Sequence, residues 1–324
     1  MFRRMIEVLA LGESLIDFTS QSVDRDGYPT MAAHPGGAPA NFLAALTKYG
    51  IKTAFYTKVG CDAFGRLLKG TFKKAGIDTR GVVEDPSVFT TLAFVTLDSE
   101  GDRTFSFARK PGADTCLEYS ELDLSLIEQC RVFHFGSLSL TNSPSRETTK
   151  KAVEYAKSLN KTITFDPNLR VPLWDNLEVA KKEIIWGLEN SDIVKISLEE
   201  IEFVFGCGEK EGASAIIENY GVKLVFVTLG KNGCYYSNGR AFGYVDNYNN
   251  VKTVDTTGAG DIFGGSAVFG VLKSGKAPGE LSGDELENIV SFACGAASLS
   301  TTKYGGILSV PDTSEVEGLI GKKE

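Results

Sequence analysis

The sequence predicts an α/β fold in which helices cover both faces of a mainly parallel sheet and a small β-structure stands apart. Two observations predict it. Short apolar runs alternate with longer amphipathic ones along most of the chain, the pattern of repeated βα units. That alternation breaks in the first third, where two strand-like runs flank a polar, glycine-containing segment, a hairpin signal. With 324 residues and 42% hydrophobic content, the chain is long enough to build one large domain with a sizeable core. We expect a single domain over 1–324.

The elements follow in order. The apolar run Val8–Leu11 predicts a first strand. It leads through Gly12, Glu13 and Ser14 to Leu15, Ile16 and Asp17. Residues from about 18 to 35 are extended, with no helical period. Gly36 and Gly37 then precede Ala38-Pro39-Ala40-Asn41-Phe42-Leu43. Pro39 suits the first turn of a helix, which runs on to a stop near Gly50. A strand at 53–59 and a helix at 64–74 form the next unit. Strands at 91–97 and 103–109 are joined by Asp98-Ser99-Glu100-Gly101-Asp102. Further strands are expected at 132–135, 163–165, 193–196 and 224–229, and further helices at 145–159, 179–188, 262–273 and 286–300. Ligands in such folds bind beyond the carboxyl ends of the strands. Asp17, Asp166, Ser197 and Thr228 fall there.

The densest chemical signal is Asp255-Thr256-Thr257-Gly258-Ala259-Gly260-Asp261, followed by the apolar run of a helix. Free N–H groups of a small-residue turn at a helix N-terminus suit an anion, and the helix dipole adds to this. Asp261 lies on the first turn beside that anion hole, the place of a general base toward a hydroxyl that attacks phosphorus. An ordinary glycine turn with an acidic first-turn residue is the alternative. Asn41 interrupts a run of helix formers. It is either a capping or solvent-facing residue or a hook for a sugar hydroxyl, with Gly36 and Gly37 letting that sugar lie on bare backbone.

Composition narrows the class. A net charge of −8 and a pI near 5.1 argue against a nucleic-acid surface. The six cysteines are scattered, without a C-x-x-C pair, as expected of reduced thiols. His134 reads as a strand residue, and His34 lines the sugar site or merely precedes it. No apolar run approaches the roughly 18 residues that span a bilayer, and no export signal is evident, so a cytoplasmic protein with no membrane partner is expected. Gly270 to Ala277 resembles a phosphate loop but lacks its Ser/Thr and ends a helical run, so it reads as a helix stop. The Rossmann fingerprint is absent after the first strand.

The stretches GGAPANFL (36–43) and DTTGAGDIFGG (255–265) resemble the two signature regions of the ribokinase-like (PfkB) carbohydrate kinases, over essentially the whole chain from Leu9 to Pro311. Phe165-Asp166-Pro167-Asn168-Leu169-Arg170 with Leu173-Trp174 is similar to the DPNLR…LW stretch of fructokinases and 2-keto-3-deoxygluconate kinases. The resemblance implies a three-layer αβα core with a small β-strand lid at about 18–35 and 88–113. It implies phosphorylation of a sugar hydroxyl by ATP, with Asp261 as base and Gly258, Ala259 and Gly260 as the anion hole. Sugar contacts are implied for Asp17, Gly36, Gly37, Asn41, Arg103, Arg109, Asp166, Asn168 and Arg170. Arg103 and Arg109 alternate on a lid strand and otherwise read as surface charge. Nucleotide contacts are implied for Lys195, Thr228, Gly230, Gly233, Gly258, Gly260 and Cys294. Lys195 otherwise reads as a solvated lysine, and the small residues around Cys294 either admit adenine or only close helix packing. Ser197 to Glu200 stands where the family has N-x-x-E. Ser197 replaces the asparagine, and Glu200 keeps a water-mediated Mg2+ role. Asp255 stands where some members hold K+. A homodimer through the lid is implied as well. The pattern is most similar to bacterial fructokinases, with 2-keto-3-deoxygluconate kinase as the alternative. A non-catalytic sugar sensor on the same fold is a third reading.

Overall fold

The computed structural model describes residues 6–97 and 103–321. Its strands are β1 (Val8–Leu11), β2 (Leu15–Val23), β3 (Pro29–Gly36), β4 (Thr53–Gly60), β5 (Val82–Asp85), β6 (Thr91–Leu97), β7 (Arg103–Ala108), β8 (Val132–Gly136), β9 (Thr162–Asp166), β10 (Ile193–Ser197), β11 (Leu224–Thr228), β12 (Cys234–Ser237) and β13 (Phe242–Val245). Its α-helices are α1 (Ala38–Lys48), α2 (Ala63–Ala75), α3 (Ser125–Gln129), α4 (Ser145–Ser158), α5 (Leu177–Glu189), α6 (Leu198–Phe205), α7 (Glu209–Tyr220), α8 (Ala259–Ser274), α9 (Gly283–Ser300) and α10 (Thr313–Ile320). The expected strands and helices are present, with ends shifted by up to three residues. Sequence reading passed over β5, β12, β13, α3, α6, α7 and α10. Most of these are too short for their periodicity to stand out.

Nine strands form one sheet in the order β13-β12-β11-β10-β9-β8-β1-β4-β5. It is parallel from β11 to β5 and antiparallel at the β12–β13 edge. β1 lies in its interior and is buried along its whole length. Val8 and Ala10 pack with α1 and α8, whereas Leu9 and Leu11 pack on the opposite face with α4 and α5. That alternation places one apolar core on each face. α9 closes the first face over β12 and β13.

A second sheet of four strands, β3-β2-β6-β7, stands apart. β2 pairs parallel with β6, and each pairs antiparallel with its other neighbour. Leu15 and Ile16 are buried where β2 leaves the core, and the strand is exposed from Ser20 outward. Phe18 stacks on Phe94 at 5.3 Å and meets Phe64 of α2 edge-on at 5.5 Å, so the sheet is seated on the core by aromatic contact. The expected hairpin turn at 98–102 lies outside the described residues. Gly275 ends α8 in the left-handed conformation (φ 68°), so the phosphate-loop look-alike is a helix stop.

Candidate functional site

The site is assembled on the carboxyl ends of the parallel strands and on the N-termini of α1 and α8. Gly258 precedes α8 with φ 78°, a conformation that favours glycine. Its Cα abuts Gly306 and the Asn41 side chain, with no room for a Cβ. The turn brings Asp261 onto the first helical turn, and its Ala259 N–H donates to Thr256 O at 3.3 Å. Gly37 likewise precedes α1, at φ 121°. Its backbone lies against that of Glu13 and Ser14.

Two cavities meet here. The first, of about 390 Å³, is lined by Glu13, Asp17, Gly37, Asn41, Asn168, Arg170, Lys195 and Asp261, with Val95 of β6 and Phe107 of β7 on one side. The second, of about 360 Å³, is lined by Ser197, Thr228, Gly230, Lys231, Gly233, Ala259, Phe263, Cys294, Ala297 and the segment around Asn247 to Thr253. Thr256 and Gly260 line both. The glycine turn before α8 is thus the partition between a polar, carboxylate-rich cavity and one lined in part by small residues.

Buried charges organise the junction. Lys195 Nζ bonds both Asp166 carboxylate oxygens, at 3.1 and 3.0 Å, with side-chain exposures of 11% and 8%. Burial pushes the Asp166, Glu200 and Asp261 carboxyls above the usual range, and the Lys195 ammonium opposes this at all three. Asn41 Nδ2 donates to Asp261 Oδ2 at 2.8 Å, which favours the ionised carboxylate, as does Arg170. Glu200 Oε1 accepts from Leu169 N at 2.7 Å, and its Oε2 accepts from Ser197 N at 2.8 Å. Ser197 in turn caps α6 in a reciprocal capping box with Glu200. Asp255 accepts from Thr257 N, Thr257 Oγ1 and Gly305 N, tying the turn to the loop after α9. Asn168 holds φ 45° at the cavity edge, where asparagine is tolerated.

The expected residues fall as follows, and the expectation for Arg109 is corrected. Arg109 does not reach the first cavity. Its guanidinium is spent on Asp114 (2.9 and 2.6 Å), Thr141 Oγ1 (2.8 Å) and the Leu138 carbonyl (2.9 Å), and the ion pair is buried. Asp166 serves the Lys195 pair and is absent from the cavity lining. Gly36 is also off the lining. Its bare Cα makes room for the Asp17 carboxylate. Lys195 faces the first cavity, and its Nζ lies 3.2 Å from where a Gly260 side chain would start. The Arg103 side chain lies outside the described residues. His34 stacks on Tyr304 at 6.3 Å and does not line the cavity. His134 is buried against Phe42, with Nδ1 bonded to Thr164 Oγ1 at 2.9 Å.

Two features escaped the sequence reading. Glu13 lines the first cavity, is 2% exposed, and is pushed up to about 7 by burial. A lone carboxylate in the run VLALGESLI was the available signal. Asn247 to Thr253 lack periodicity, and only the fold brings them to the second cavity.

The profile of the pfkB family of carbohydrate kinases matches residues 5–313. Fructokinase-2 of Solanum lycopersicum is 41% identical over 320 residues, covering 97% of this chain and 95% of that protein. A crystal structure of fructokinase with bound ATP from Xylella fastidiosa has a TM-score of 0.90 at 28% identity, covering 98% of both chains. A fructokinase double mutant from Vibrio cholerae O395, in its fructose, ADP and potassium ion bound form, has a TM-score of 0.85 at 29% identity, covering 98% of each chain.

Proposed function

The chain belongs to the pfkB family of carbohydrate kinases, and from its likeness to fructokinases we propose that it is an ATP-dependent fructokinase that forms fructose 6-phosphate. The observation that carries this reading is the position of Asp261. It stands at the junction of the two cavities with one oxygen held by Asn41. The sugar occupies the first cavity, between Asp17, Gly37, Asn41, Asn168 and Arg170. The nucleotide occupies the second, with its phosphates toward Gly258–Gly260 and its base toward Thr228, Gly230, Gly233 and Cys294.

In the transfer step the sugar hydroxyl gives its proton to Asp261. Its oxygen bonds to the γ-phosphorus as the bond from that phosphorus to the bridging oxygen of ADP breaks. Asn41 and Lys195 favour the ionised Asp261 that this step requires. The amides of Gly258, Ala259 and Gly260 take up charge on the transferring group, that of Ala259 being shared with the Thr256 carbonyl at 3.3 Å. Lys195 and Arg170 supply the cationic field around it. The small sheet acts as a lid: Val95 and Phe107 wall the sugar cavity and exclude water from it. Mg2+ bound with ATP would neutralise charge on the phosphates. Glu200 lines neither cavity, so a role toward it would run through water, from the lone pairs its oxygens keep beyond the backbone bonds. Asp255 is our assignment for a K+ contact. We also place the enzyme in the cytoplasm as a homodimer through the lid, where Val23 and Tyr28 are each 68% exposed. A solution mass of one chain would remove the dimer.

Arg170 in the cavity favours 2-keto-3-deoxygluconate as the second reading, because a guanidinium suits its carboxylate. Against it, Glu13 and Asp17 line the same cavity and repel an anion. The test is ADP release from Mg-ATP with each sugar, with Asp261→Ala as control. Preference for fructose, lost by about 10²–10⁴ in the variant, is the expected result. Preference for the keto acid moves the substrate to the second reading, and equal rates for variant and wild type overturn Asp261 as base.

A further inference from the structure

Helix α1 carries Asn41, which holds Asp261, yet it lacks a cap of its own. Gly37 precedes it and offers no side-chain hydrogen bond, so the first N–H groups of α1 need partners from elsewhere. One comes from Glu13, 25 residues earlier, whose Oε1 accepts from Ala38 N at 2.9 Å. The same segment grips α1 twice more. The Gly12 Cα lies against the Pro39 ring, and Gly37 lies against the Glu13 carbonyl and Ser14 Cα, with no room for a Cβ at either glycine. Asn41 then follows one turn into the helix, its N bonded to Gly37 O at 3.1 Å.

We infer that Glu13 is a positioning residue of the transfer step: its carboxyl caps α1 from the loop after β1, and so sets Asn41 and, through Asn41, the Asp261 carboxylate. This rests on the reading of Asp261 as the base. Burial of Glu13 in this place raises its carboxyl to about 7, against the pull of its own and Ala38's N–H groups and of Arg109, with Asp114 pushing the same way as burial. A buried carboxyl with no ion pair among the described residues is costly. A clamp on the helix that carries the base's partner gives it a use. The register it sets is tight, because a shift of about 1 Å in a reacting group can cost about 10²-fold in rate.

The test separates reach from charge. Glu13→Gln keeps length and an acceptor oxygen but loses the charge. Glu13→Asp keeps the charge but is one methylene too short to reach Ala38. Steady-state kinetics with the wild type's best sugar are paired with hydrogen exchange of the peptide spanning 36–46. The expected result is kcat lowered about 10- to 100-fold in the Asp variant, with the sugar KM little changed and exchange faster at the start of α1, while the Gln variant stays within about threefold of wild type. The reverse order of the two variants, a rise in sugar KM at unchanged kcat, or wild-type exchange in the Asp variant would each overturn the proposal. Absence of fructose turnover in the wild type would instead count against the fructokinase reading, and the exchange comparison would still decide Glu13.

Discussion

Replacing Lys195 by Met removes the ammonium that three buried carboxylates share. The Lys195–Asp166 contact of 3.0 Å corresponds to about 5 kcal/mol of attraction at an effective dielectric of about 20. Breaking one side of a buried pair costs about 3–5 kcal/mol, because the other charge is left unpaired. With an unfolding entropy of about 2.1 cal/mol/K per residue, a chain of 324 residues loses about 4–7 °C in Tm. The expected recovery is as informative: Lys195→Met combined with Asp166→Asn removes both charges and regains most of that loss. Catalysis responds separately. Lys195 lowers the Asp261 pKa against burial, so its loss raises that pKa. The acid limb of kcat/KM then moves to higher pH. Differential scanning calorimetry and a pH–rate profile of both variants read the two effects. An unchanged Tm in the single variant, or an acid limb moved to lower pH, would refute the account of this cluster.

Two further outcomes follow from the same geometry. Arg109→Met leaves Asp114 charged with a 1% exposed side chain, so Tm falls by about 4–7 °C while the sugar KM does not move; a KM effect at unchanged Tm would return Arg109 to the substrate. Asp17 is raised to about 7 from 3.8, first by burial, with Asp255 and Asp261 adding to it and Arg170 opposing. A raised folded pKa means that the stability contributed by its proton is fully present below about 4 and lost as pH rises through about 7. Asp17→Asn therefore stabilises the ligand-free enzyme at pH 8, by no more than about 4 kcal/mol and less for a half-buried group, and flattens the slope between pH 4 and 7. Guanidinium melts across that range check it.

The layered fold was legible because burial on both faces of a parallel sheet writes continuous apolar runs, as in Val8–Leu11. The glycine turn that opens α8 was legible because Gly258 and Gly260 stand next to a first-turn carboxylate, and helix-end structure is local. What remained hidden was pairing. Arg109 looked like a free lid cation because nothing in β7 announces Asp114 or Thr141. The Asp166 pair was hidden as well, because its partner Lys195 lies on the next strand, 29 residues on.

By itself, the sequence determined the βα alternation, the apolar faces and the glycine turns that open α1 and α8, since each follows from neighbours a few residues apart. Only the tertiary structure decided which charges meet. Asn41 reaches Asp261 across 220 residues, Glu13 reaches Ala38 across 25, and the two cavities share Gly260. A charge's partner is set by distance in space, and in a buried site that partner decides whether a carboxylate binds, caps or takes a proton.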